Sequence, residues 1–163
     1  MRGLLREPAR DQLRQVRADV QRPERGHGEL GAMRERRVPE VVAAARQPFI
    51  LTPHAGELER IGGAGGVPAH GVLVAKGPAT RIIHGGSTYE TCCGGPVLAR
   101  GGSGDLLAGL IGGLLAQTPQ DALGAACRGV LWQGAAADRL ARAQGQHAVR
   151  ISELLDHLHP IFG

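Results

Sequence analysis

Residues 101–117 read GGSGDLLAGLIGGLLAQ, and the rest of the 163-residue chain is best read outward from them. A glycine-rich turn, Gly101-Gly102-Ser103-Gly104, runs through Asp105 straight into an apolar segment, Leu106 to Ala116. Glycines let a backbone approach a ligand closely, and successive N–H groups there can point the same way. A helix begun on such a turn adds its own unpaired N–H groups and the positive end of its dipole. The result suits a phosphoryl group in transfer. An acid at the end of an anion-holding loop is out of place unless it accepts a proton, so Asp105 is read as a base acting on a hydroxyl that attacks phosphorus. The alternative is a plain turn in which Asp105 caps the helix.

Upstream, Val72-Leu73-Val74-Ala75 is a short apolar run ending at Lys76-Gly77 and reads as a buried strand. Thr80–His84 and Ser87–Thr91, joined by Gly85-Gly86, read as a β-hairpin. Further back, Phe49-Ile50-Leu51-Thr52 reads as another buried strand, closed by Pro53, with a helix from Ala55 to Ile61 after it. His54 and Glu57 then stand where a strand gives way to a helix, the edge at which α/β sheets bind ligands. Lys76 is the only lysine in the chain, and at a strand end it could reach a nucleotide phosphate or simply be solvated. Downstream, Thr118 is expected as N-cap and Pro119 as first residue of a helix over 120–141, with a last short helix over 152–158. Strands ending in loops and followed by helices predict an α/β layered domain.

Composition narrows the field. Apolar residues are 42% and charged ones 21%, an ordinary globular mix, while aromatics are only 2%, so the core must be aliphatic. No apolar run approaches the roughly 20 residues of a membrane span. No apolar stretch follows the basic N-terminus, which is therefore not a secretory signal, and a cytoplasmic location with reduced thiols is expected. The three cysteines, two of them adjacent at 92 and 93, have neither disulfide-framework nor zinc spacing, and no metal-ligating pattern stands out. The formal charge of +4 comes entirely from residues 1–46, which hold 11 Arg and 7 acids. No aromatic is interleaved there to stack a base, so nucleic acid is not the expected partner. Residues 1–46 read as an Arg-rich leader, solvated or poorly structured. With 18 Arg to one Lys, a frame-shifted, GC-rich origin for residues 1–36 is a further reading.

Three segments in this order, LTPHAGE at 51–57, VAKGPAT at 74–80 and GGSGDLLAGLIGGLLAQ at 101–117, resemble the NAD(P)H-hydrate dehydratase family of the ribokinase-like superfamily. Sugar kinases of that superfamily share the Gly-x-Gly-Asp turn, but the His-x-Gly-Glu segment after a strand points to the dehydratase branch. The resemblance covers residues 47–163. It implies a ribokinase-like layered α/β domain, truncated at its N-terminal half, that returns hydrated NADH or NADPH to the intact cofactor. ADP (or ATP) would be the co-substrate and Mg²⁺ would assist. The hydrate's hydroxyl would be phosphorylated and then lost as phosphate. Carried over residue by residue, Asp105 would be the base and contact the hydrate. Gly102, Ser103 and Gly104 would form the anion hole, with Gly104 also touching the nucleotide. Lys76, Gly77, Pro78, Ala79 and Thr80 would bind ADP or AMP, and His54 would contact the hydrate. The resemblance also implies a homo-oligomer, a tetramer in the family.

The chain departs from the family pattern in several places. Ala55 replaces a proline, Gly95-Pro96 stands where Asn-Pro is usual, and Gln133 stands where a later helix carries a histidine. Residues 60–71 are too short for the family's long crossover helix, and 62–71 look nearly helix-free. The glycine-rich and Asp-containing segments of the family's N-terminal half are not found in residues 1–46, so an unpaired strand edge and exposed apolar faces are expected. A small-molecule kinase using Asp105 on a sugar or vitamin hydroxyl, and an inactive nucleotide-binding fragment, are the alternative functions.

Overall fold

Strand β2 (Val72–Ala75) is buried along its whole length, as a continuous apolar run requires of a strand with neighbours on both sides. This is a computed structural model, and it describes residues 40–147 and 149–158. The expectations for residues 1–39 and for His159 lie outside the described residues.

The sheet has four strands in the order β1-β2-β3-β4. Strand β1 (Ile50–Leu51) runs parallel to β2, with Ile50 opposite Val72 and Leu51 opposite Leu73. It is shorter and less buried than the expected 49–52. Its pairing nevertheless reaches further through carbonyls: Phe49 O accepts from Val72 N (2.9 Å), and Pro53 O accepts from Lys76 N (3.0 Å). Proline has no N–H to give a ladder, which limits the strand at that end. Strands β3 (Thr80–His84) and β4 (Ser87–Thr91) form the expected hairpin, with His84 opposite Ser87. Gly85 and Gly86 have φ of +56° and +82°, the pair of left-handed residues that a two-residue type I′ turn demands.

The connection from β1 to β2 has no long helix, as the short, glycine-rich segment predicts, and still completes the crossover. Residues 52–71 complete a parallel crossover with only a six-residue helix, α1 (Ala55–Arg60), and a 3₁₀ turn at Ala64–Gly66. A dozen or more residues suffice for such a return, and a long helix is not obligatory.

The two longer helices are α2 (Ser103–Gln117) and α3 (Ala122–Gln144). The expected start of α3 was wrong. Thr118 ends α2, its N–H and hydroxyl both bonded to Leu114 O, and Asp121 caps α3 by accepting from Gly124 N at 2.8 Å. A carboxylate three residues before an open N–H outcompetes the Thr-Pro signal. One core cluster joins Val72, Val74 and Ile82 of the sheet to Leu107 and Ile111 of α2 and Ala122, Ala126 and Val130 of α3. A second joins Val97, Ala136, Ala137, Leu140, Val149 and Leu154. Leu154 lies in a 3₁₀ helix, Ile151–His157, close to the short helix expected over 152–158. Gly109, Gly112 and Gly113 face open space rather than a packed neighbour. The close approach is made instead by Gly129, where a Cβ would lie 2.5 Å from Ile111 Cγ1.

Candidate functional site

Parallel pairing brings the carboxyl ends of β1 and β2 side by side, so the Pro53-His54 segment and the Lys76 loop leave the sheet at the same edge. The bond from Lys76 N to Pro53 O fixes them together. The Lys76 side chain then reaches the glycine turn: a Cβ added to Gly104 would lie 2.9 Å from Lys76 Nζ. With no Cβ at Gly104 the ammonium can sit against the turn, where a side chain would displace it. Two of the three segments singled out in the sequence thus meet directly, and the third is tied on through Pro53. The Lys76 ammonium has no hydrogen bond or ion pair among the described residues.

The turn itself is well specified. Gly102 is the N-cap of α2, at φ +88° and ψ −15°, a left-handed conformation natural to glycine, and it offers no side-chain cap. Ser103 follows as the first helical residue, and its polar groups are engaged. Its N–H donates to Arg100 O (3.2 Å), its hydroxyl donates to Leu98 O (2.8 Å), and its carbonyl accepts from Gln133 Nε2 (2.7 Å). Of the expected anion-hole residues, Ser103 has its polar groups engaged in shaping the turn. The N–H groups of Gly104 and Asp105, next in the helix, have no intrahelical acceptor, and neither they nor the Gly102 N–H have another backbone acceptor among the described residues. These are the donors left for a ligand.

Asp105 is exposed and sits in the first turn of α2, past the cap position. Its carboxylate makes no hydrogen bond or ion pair among the described residues, so the alternative of a helix cap does not describe it. An unengaged carboxylate one residue beyond the Gly104 N–H can take a proton while an anion is held next to it.

His54 has a different place. It is the N-cap of α1, where Nδ1 accepts from Glu57 N (3.3 Å) while Glu57 Oε2 accepts from His54 N (2.9 Å), a reciprocal capping box. Accepting at Nδ1 puts the ring proton on Nε2, which lies 3.5 Å from Glu57 Oε1. No hydrogen bond joins this exposed ring to Lys76 or Asp105. Gly77, Pro78 and Ala79 form the partly exposed loop between β2 and β3, and Thr80 opens β3 opposite Thr91.

Sequence reasoning missed the side of the turn that faces the protein. Besides Gln133, Asp138 Oδ1 accepts from Gly94 N (3.0 Å), and Arg100 Nη2 donates to the carbonyls of Gln146 (3.1 Å) and His147 (2.6 Å). These bonds tie the segment from Gly94 to Ser103 to α3 and to the residues after it. Gln133 was legible in principle. Buried positions at 122, 126, 130, 137 and 140 of α3 recur at helical spacing, and Gln133 falls on the same stripe, where a polar group requires a partner.

A cavity of about 270 Å³ lies away from this edge. Val67, Pro68, Gly71, Leu73, Ile83 and His84 are among its lining residues. Cys92, Cys93 and Cys127 are free thiols; burial pushes the Cys127 thiol up, and nearby Asp121 adds to the effect. Among the described residues no group of three or more His, Cys, Asp or Glu side chains could hold a metal, and no helix is long and apolar enough to cross a membrane.

Comparison with known proteins follows the same segments. A model of the NAD(P)H-hydrate dehydratase family matches residues 31–160, so the match takes in residues 31–46 as well as the motifs quoted above. A bifunctional NAD(P)H-hydrate repair enzyme of Coxiella burnetii is 38% identical over 129 residues, covering 69% of this chain and 26% of its own length. An ADP-dependent (S)-NAD(P)H-hydrate dehydratase of Streptococcus pneumoniae is 39% identical over 91 residues, 46% of this chain and 31% of that protein. The structure of an ADP/ATP-dependent NAD(P)H-hydrate dehydratase from Bacillus subtilis, co-crystallized with ATP and Mg²⁺, superimposes with a TM-score of 0.59 at 31% identity. It covers 68% of this chain and 46% of the Bacillus chain. The chain thus spans about a quarter of the length of the bifunctional relatives and about half that of the solved structures.

Proposed function

Because the chain belongs to the NAD(P)H-hydrate dehydratase family, we propose that its Gly104–Asp105 edge carries the phosphoryl-transfer step of nucleotide-dependent repair of hydrated NADH and NADPH. One observation carries the reading: an unpartnered lysine ammonium packs against Gly104 of a turn whose Gly104 and Asp105 N–H groups and Asp105 carboxylate are unpaired among the described residues. A donor set of that kind suits a polyphosphate, and the carboxylate suits a hydroxyl that must lose its proton.

The chemistry then runs as follows. Lys76 and the Gly77–Thr80 loop hold the phosphates of ADP, and the Gly104 and Asp105 N–H groups hold the transferring phosphoryl oxygens as charge develops on them. The Asp105 carboxylate accepts the proton of the hydrate's hydroxyl. That oxygen attacks the β-phosphorus, the bond to the bridging oxygen breaks, and AMP leaves. The phosphorylated hydrate then loses inorganic phosphate, with a proton lost from the ring, and the double bond of the dihydronicotinamide re-forms. ATP would serve the same geometry, giving ADP. His54, already engaged in capping α1, would meet the hydrate only through its exposed Nε2 face.

Mg²⁺ fits this site as a companion of the nucleotide. It commonly takes one or two carboxylates with substrate phosphates and waters. Asp105 is the acidic side chain of the turn able to share in that role, and the ion would neutralise phosphate charge. Assembly into a tetramer belongs to the same reading and is checked by the mass of the particle in solution.

The test is recovery of NADH absorbance from its hydrate by the purified full chain, with Mg²⁺ and either ADP or ATP. Turnover that releases AMP from ADP supports the reading. Stable phosphorylation of a hydroxylated metabolite would replace it with a kinase, and nucleotide binding without turnover would leave a binding module.

A further inference from the structure

We propose that Gln133 is a positioning residue for the anion hole, acting through the Ser103–Gly104 peptide. The inference rests on the reading of the glycine turn given above. Gln133 is 4% exposed and is the buried polar side chain of α3, set among Ala136, Ala137 and Val130. Its Nε2 donates to Ser103 O at 2.7 Å, at the short end of the range for such bonds.

That carbonyl belongs to the same peptide unit as the Gly104 N–H. In a trans peptide the two point in opposite directions, so what holds the C=O from behind aims the N–H forward. A donor on the carbonyl oxygen also draws charge from the unit and makes its N–H a stronger donor, as in any chain of hydrogen bonds. Lys76 Nζ lies against Gly104, 2.9 Å from where a Cβ would stand. Gln133 and a phosphate oxygen on the Gly104 N–H would thereby act on opposite ends of one peptide unit, with the ammonium close to the same residue.

The same carbonyl accepts the Leu107 N–H within α2, and Gln133 is the donor that reaches it from another element. The Ser103 hydroxyl holds Leu98 O and the Ser103 N–H holds Arg100 O, both on the approach to the turn rather than on the peptide that carries the Gly104 N–H. An amide also keeps its donor at every pH.

The experiment compares the full chain with Gln133→Met, which keeps length and volume but has no donor, and Gln133→His, whose ring N–H can donate again. The Gly104 amide resonance is followed by NMR in the free protein and during titration with Mg²⁺-ADP, alongside far-UV circular dichroism and the melting temperature. The expected result for Gln133→Met is a displaced Gly104 resonance in the free protein and ADP binding weakened about fivefold to tenfold, the scale of one lost hydrogen bond. Fold signals should hold, and Gln133→His should recover most of the affinity. Wild-type affinity and an unmoved Gly104 resonance in Gln133→Met would overturn the inference while the site stands. So would loss of the fold in both variants, which would make Gln133 a packing residue only. A wild-type Gly104 resonance that ignores ADP would instead overturn the reading of the site, and the inference with it.

Discussion

The two ends of the β-sheet treat their polar side chains in opposite ways. At the carboxyl end of β1 and β2, Lys76 and Asp105 stand without partners around an open turn. At the other end each histidine is held by a backbone carbonyl: His84 Nδ1 lies 3.0 Å from Gly71 O, and His70 Nε2 lies 2.9 Å from Ala45 O. A carbonyl can only accept, so both nitrogens are donors there and their protons are committed. A cavity of about 270 Å³ is at this satisfied end, while the unpartnered ammonium and carboxylate are at the other.

The sharpest way to break that contrast is at Asp105. Asp105→Asn should lower NADH recovery by about 10²–10⁴-fold, the range for losing a general base, with an unchanged melting temperature because the carboxylate supports nothing in the fold. A variant that keeps wild-type turnover would remove the catalytic end from the comparison. Next in size, Lys76→Met should weaken ADP binding by about tenfold or more, as expected for one charge-assisted hydrogen bond to phosphate, again without loss of stability. Calorimetric titration decides it, and equal affinity would mean that the ammonium is merely solvated.

At the opposite end the signs reverse. His84→Phe should cost about 1 kcal/mol in denaturant unfolding, since Gly71 O loses its donor, while ADP affinity stays the same. Weaker ADP binding in that variant would show that the two ends are coupled. The smallest effect concerns Glu153, in the 3₁₀ helix beside the second core cluster. The Arg150 main-chain N–H, with help from its guanidinium, holds this carboxyl below the usual carboxylate range. The resulting stabilisation is fully present above the ordinary glutamate pKa of about 4.3 and is lost as pH falls through the lower folded-state value. Glu153→Gln should flatten that part of the pH profile of the melting temperature. An unaltered profile would place the acid sensitivity elsewhere.

Much of this was legible in the residues. The apolar run 72–75 and the Gly85-Gly86 turn determine β2 and the hairpin because strand burial and a type I′ turn are local demands. The glycine turn announced α2 for the same reason. The start of α3 was misread because Thr118-Pro119 and Asp121 are competing caps, and the choice between them depends on which oxygen reaches an open N–H. The Lys76–Gly104 approach and the Gln133–Ser103 bond are tertiary, made between segments far apart in the chain. The motifs named the pieces of the site, and the packing of β2, α2 and α3 decided which pieces touch.

The order of the strands in the sheet repeats their order in the chain. Each strand therefore finds its partner next along the polypeptide: β3 and β4 meet across two residues, and β1 and β2 across residues 52–71. Closing short loops costs little chain entropy, and topologies dominated by near-neighbour contacts fold faster than those that must first bring distant segments together. The sheet that carries Lys76 is thus built for rapid assembly, and stopped-flow refolding should give a main phase in about milliseconds rather than seconds.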